Sequence, residues 1–130
     1  MTRILALATI LLAACSTPRP LAPWPPPAGP IRVVIDTDAR NEIDDHYAVA
    51  LALGFPERLR IEGIVAAHFG KTEDIEGSLE DIRQILKHAG MEGKIPVARG
   101  VGPLTEGRPV PTSAGIELIL ERARAATRED

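Results

Sequence analysis

Five carboxylates, Asp36, Asp38, Glu42, Asp44 and Asp45, fall within ten residues in the stretch VVIDTDARNEIDDHYAVALAL, residues 33–53. Like charges this close repel one another unless a cation neutralises them. A cluster that offers only oxygen, with no cysteine and no grouped histidine, suits a hard ion, Ca²⁺ or Mg²⁺. Water held by such an ion gives its proton up more readily, and a carboxylate beside it can take that proton. Capping is the plainer reading of some of these acids. Aspartates before a helix satisfy orphan N–H groups, and first-turn acids suit the helix dipole. That accounts for Asp44 or Asp45, but not for Asp36 and Asp38 at the end of an apolar run. All four aspartates are therefore expected to face one crevice and a shared divalent ion.

The flanking segments must position them. Ile31–Ile35 is a short apolar, β-branched run and reads as a strand. From Asp44 to Leu53 the pattern is helical, with Gly54 and Pro56 as stop signals. Ile61–Ala67 is a second strand. In TEDIEGSLEDIRQILKHAG, Ile75, Leu79, Ile82, Leu86 and Ala89 recur every three or four residues and form one apolar stripe. Acids lead that helix, Lys87 and His88 close it and Gly90 ends it. KIPVARG is a third strand, and SAGIELILERARAA a third helix. The order βαβαβα predicts an α/β fold: an open, mostly parallel, Rossmann-like sheet with helices on both faces. Ligands of such sheets sit at the carboxyl ends of the strands, where Asp36 and Asp38 fall.

With those residues placed, the pattern VVIDTD…IDD…AVALAL resembles the N-terminal signature of the inosine–uridine nucleoside hydrolase family, which has the form DTDxGxDDAxAI. RIEGIV, the helix ending at Gly90, and IPVARGVGPL follow in the family's order, so the resemblance covers residues 31 to about 110. It implies cleavage of the N-glycosidic bond of a ribonucleoside, giving base and ribose, with Ca²⁺ as cofactor. It also implies roles for single residues. Asp38 would be a metal ligand and the base for the attacking water, Asp45 a second metal ligand, Asp44 a ribose-binding group, and Asp36 a brace for the loop. This chain departs from the motif between Asp38 and Asp44, where five residues, ARNEI, replace three and the Pro-Gly turn is lost. The result is a DTDxxNExDD variant. Asn41 is a candidate substrate contact, although Asn41 and Glu42 are as well read as shaping the longer turn and capping the helix. After the second strand the family carries a sugar-binding asparagine; here the stretch reads AAHFGK, and His68 is the candidate replacement. The family's domain is longer and draws further site residues from its second half, so residues 31–130 are expected to be its N-terminal portion, with an incomplete sheet.

The remaining chain concerns address rather than chemistry. MTRILALATILLAAC has one positive charge, Arg3, then an apolar run from Ile4 to Ala14, too short to span a bilayer. Leu12-Ala13-Ala14-Cys15 resembles a bacterial lipobox. Residues 1–15 are thus expected to be a lipoprotein signal with Cys15 as the lipidated residue, and Ser16 after it suggests an outer-membrane, periplasm-facing location. Residues 16–30 hold seven of the twelve prolines and read as an extended linker. The 130 residues allow one domain at most. A net charge of −3 and 3% aromatics give no footprint for nucleic acid. Expected partners are a ribonucleoside or related ribosyl compound and, through Cys15, a membrane; oligomerisation stays open. Two rivals stand beside this reading. One is a haloacid dehalogenase-like, Mg²⁺-dependent phosphohydrolase using Asp36 and Asp38, which leaves Asp44 and Asp45 without a role. The other is a non-catalytic, lipid-anchored ligand-binding protein or remnant.

Overall fold

The computed structural model describes residues 29–70 and 74–127. The leader, Cys15 and the linker up to residue 28 lie outside the described residues. Three strands, β1 (Ile31–Thr37), β2 (Leu59–Ala66) and β3 (Val97–Arg99), alternate with three helices, α1 (Ile43–Leu53), α2 (Ile75–His88) and α3 (Ala114–Arg124). The sheet is open and parallel, in the order β1-β2-β3. The expected α/β architecture and βαβαβα order are therefore present. Among the described residues no helix is long and apolar enough to cross a membrane.

The helices divide between the two faces because β2 alternates its side chains. Ile64 and Ala66 join Val49 of α1 and Ile75, Leu79, Ile82 and Leu86 of α2 in one buried core. The intervening Val65 meets α3 instead: a Cβ on Gly115 would stand 2.6 Å from Val65 Cγ1 and 2.8 Å from the Arg99 carbonyl oxygen. Gly115 thus lets the first turn of α3 lie directly against the end of β3. Two successive crossovers of one hand, moving in one direction across the sheet, place α1 and α2 on the same face.

Local signals set the helix ends. Asp74 caps α2, its side chain accepting from the Gly77 N–H at 3.0 Å. At the other end Gly90 takes φ 66°, and the Gly90 and Met91 N–H groups donate to the Lys87 and Leu86 carbonyls at 3.1 and 2.8 Å. That is a Schellman closure, and a left-handed residue there favours glycine. Ser113 caps α3 through the Ile116 N–H at 3.2 Å.

Two elements differ from expectation. The first strand continues through Asp36 and Thr37, which pair in register with Val65 and Ala66. The third is only three residues long, with Pro96 before it and Gly100 after it. The strand extension matters most, since it brings the first two polar residues of the acidic run under strand alternation.

Candidate functional site at the carboxyl end of the sheet

Alternation sends Asp36 and Thr37 to opposite faces. Thr37 is buried on the α1 side, where its hydroxyl donates to a carboxylate oxygen of Asp45 in the first turn of α1. This bond ties the strand half of the acidic motif to its helix half. Asp36 faces the α3 side and lines a cleft of about 260 Å³ with His68, Gly100, Leu104, Ile116 and Ile119. Asp36 is an exposed residue, yet partial burial of its carboxyl pushes its pKa up, and the negative charge of Asp38 pushes the same way. Because the strand does not stop before Asp36, Asp36 stands on the opposite strand face from the Thr37–Asp45 pair while remaining within electrostatic reach of Asp38.

The turn between β1 and α1 is well anchored. The Asn41 N–H donates to the Asp38 carbonyl at 2.7 Å. Ala39 is buried at 1% exposure, and the Arg40 guanidinium makes two 2.7 Å bonds to the two carboxylate oxygens of Asp81 on α2. The Arg40 N–H reaches the buried Ser78 hydroxyl at 3.4 Å. His46 Nε2 donates to the Ala39 carbonyl at 2.8 Å and lies 3.6 Å from Asp81. The lengthened five-residue turn is thus docked on α2 by a charged fork and a histidine. Bidentate Arg–carboxylate pairing fixes geometry as well as charge. No sequence signal singled out Arg40 or Asp81, since the pair spans 41 positions and has no periodicity.

The other candidates fall as follows. Asp38 is half-buried at the end of β1. Asp44 is exposed in the first turn of α1, and Asn41 is exposed in the turn. Glu42 occupies the N-cap position of α1 in extended backbone, but its side chain makes no cap bond, so the capping role comes from position alone. His68 Nδ1 donates to the Val101 carbonyl at 3.1 Å, and the ring lines the cleft. Arg99, at the end of β3, bonds Glu76 at 2.8 Å.

A cation needs more than this set supplies. Calcium takes six to eight oxygens, several from carboxylates. Among the described residues no three His, Cys, Asp or Glu side chains are grouped so as to hold a metal ion. The donor chemistry suits a hard ion, but Asp38 and Asp45 together with their neighbours do not form a closed cage, because Asp36 turns away and Thr37 occupies one oxygen of Asp45. What the arrangement can do unaided is accept hydrogen bonds from hydroxyl groups and take a proton from water at the carboxyl end of the sheet. No protein-family model, curated protein or solved structure matches this chain.

Proposed function

We propose that the chain carries the ribosyl-binding carboxylates of a nucleoside hydrolase-like protein that cleaves ribonucleosides to base and ribose. The observation that carries this reading is the Thr37–Asp45 hydrogen bond, which joins the DTD and DD halves of the motif at the carboxyl end of β1. A position at the strand ends of a parallel sheet is where such folds take their ligands.

In this reading Asp44, exposed at the helix start, accepts hydrogen bonds from the ribose hydroxyls. Asp38 takes the proton of the attacking water. Loss of the base leaves positive charge on the sugar ring, as in other glycosides, and the nearby carboxylates stabilise that charge. His68 and Asn41 are the proposed secondary substrate contacts. Asp36, raised in pKa on the opposite strand face, is assigned to the cleft wall. The resemblance further implies a Ca²⁺ ion, of whose coordination the described residues supply only part.

The test is ribose release from inosine and uridine with added Ca²⁺ or with chelator, beside phosphate release from p-nitrophenyl phosphate. Ribose release that Asp38→Ala reduces by at least about 100-fold, the low end for a general base, is the expected result. Phosphate release without ribose overturns the proposal in favour of a phosphohydrolase. Ribose bound in calorimetry with no turnover overturns it in favour of a binding protein.

A further inference from the structure

The amino end of the sheet, opposite the proposed hydrolytic site, is where all three helices finish. Helices α1 and α2 lead into the starts of β2 and β3. The Arg32 guanidinium, at the start of β1, donates to the Ala125 carbonyl at the end of α3 at 3.0 Å. Helix starts favour acids and helix ends favour cations. Three helices running the same way therefore build one charge gradient through the molecule. Arg58, Arg60, Lys87, Lys94 and Arg124 are exposed at the amino end. Glu62 and Glu121 there are paired with Arg32 and Arg122, which leaves Glu57 and Glu92 against the five cations. Asp36, Glu42, Asp44 and Glu117 are exposed at the carboxyl end.

A cleft of about 310 Å³ opens among these cations. Ala52, Leu53, Pro56, Met91 and Ile95 give it apolar walls. Among the described residues, Arg60 and Lys94 are the only charged ones in its lining. Phe55, next to Pro56 in the turn after α1, is 46% exposed. Pro30 also lines the cleft, so the chain that leads back to Cys15 leaves the domain at this end.

We infer that the amino end is a docking face for an anionic lipid surface. Arg60 and Lys94 take a headgroup phosphate at the cleft, and Phe55 enters the interface. Cations at helix ends need no ligand to explain them. An apolar cleft with two cations, beside an exposed aromatic ring, matches a phosphate carried over hydrocarbon. Anionic lipids attract basic groups near the surface, and long basic side chains lay their stems on apolar walls while the charged heads reach the phosphate. Five cations partly offset by two acids bind weakly, so this face orients an anchored domain and does not replace the anchor. The acids of the carboxyl end then point away from a surface that repels them, and the proposed substrate site opens to solvent.

Two reporters in a Trp24→Phe background read the orientation: Phe55→Trp at the amino end and Leu104→Trp, in the wall of the Asp36 cleft, at the other. The full 130-residue chain is reconstituted in vesicles of brominated phosphatidylcholine, with or without an equal part of phosphatidylglycerol. With phosphatidylglycerol the Phe55→Trp reporter should be blue-shifted and quenched several-fold more strongly than the Leu104→Trp reporter. Without it, or in high salt, which screens exposed charges, the difference should vanish. Arg60→Glu with Lys94→Glu should also remove it, with far-UV circular dichroism unchanged. If that double variant fails to fold, the salt series on the Phe55→Trp reporter decides. Equal quenching of the two reporters on phosphatidylglycerol overturns the inference. So does quenching at Phe55→Trp that persists in neutral vesicles or high salt, or that the folded charge-reversal variant keeps.

Discussion

Thr37 and Asp36 are sequence neighbours with opposite fates. The Thr37 hydroxyl is buried against a charged acceptor, and a hydrogen bond to a charged group is worth more than a neutral one. Thr37→Val keeps the strand and the shape while leaving Asp45 without its donor. It should cost about 1–2 kcal/mol in urea unfolding, the partly exposed carboxylate lowering the usual figure. On the proposed function it should also lower ribose release about tenfold or more, a modest share of one positioned group's effect. Asp36 behaves otherwise. Its pKa stands above the ordinary aspartate value of 3.8, through burial and the Asp38 charge. An acid raised on folding favours the native state only while protonated, and that contribution is lost as pH rises through the folded value. Asp36→Asn should therefore stabilise the protein at pH 7, and the gain should vanish below the unfolded value of 3.8, as read from unfolding midpoints across pH. An equal gain at acid and neutral pH would contradict the assignment.

At the scale of the elements, α3 is held to the sheet by close approach and α1 by a charged turn. A side chain at Gly115 meets the Arg99 carbonyl, which is backbone and cannot swing away. A side chain at Gly63 first meets the Leu118 side chain, at 2.6 Å from Cδ2 and 3.2 Å from Cγ, which can shift where backbone cannot. Overpacking costs typically 1–3 kcal/mol, against a helix-propensity gain of up to about 1 for glycine to alanine. Gly115→Ala should thus destabilise by about 1–2 kcal/mol in chemical denaturation, and Gly63→Ala by less, although Gly115 is the helical one. Element order was legible because apolar period is local: strands read as runs, α2 as a stripe from Ile75 to Ala89, its ends as Asp74 and Gly90. The end of β1 lies two residues beyond the apolar run Ile31–Ile35. Asp36 and Thr37 look like a loop in isolation, and only pairing with Val65 and Ala66 makes them strand.

For the whole molecule the sheet is the organising object. Its buried β2 is covered by α1 and α2 on one side and by α3 on the other, and all loops that bear polar candidates gather at its carboxyl end. Arg32 on β1 and Glu62 on β2 clasp the opposite part of the same α3-facing surface through two 2.6 Å bonds, and the Arg32 guanidinium pushes the Glu62 pKa down. Beyond the described residues, the expected lipoprotein address makes a separate prediction. Cys15→Ala should abolish metabolic incorporation of palmitate and move the protein from the membrane to the soluble fraction; incorporation that survives would remove Cys15 as the anchor. Neither result depends on the hydrolase proposal.

By itself the amino-acid sequence determined the α/β class, the βαβαβα order and the placement of acids where the first strand meets the first helix. Each of these follows from spacings of two to four residues, which backbone geometry converts directly into a strand or a helical face. Only the tertiary structure decided which acids act together. Whether Asp36 joins Asp45 depends on how far β1 pairs with β2, and whether the long turn is loose or pinned depends on Arg40 finding Asp81 across 41 residues. Such through-space choices leave no period in the chain, because they are made by packing helices on a sheet whose faces the alternation has already assigned.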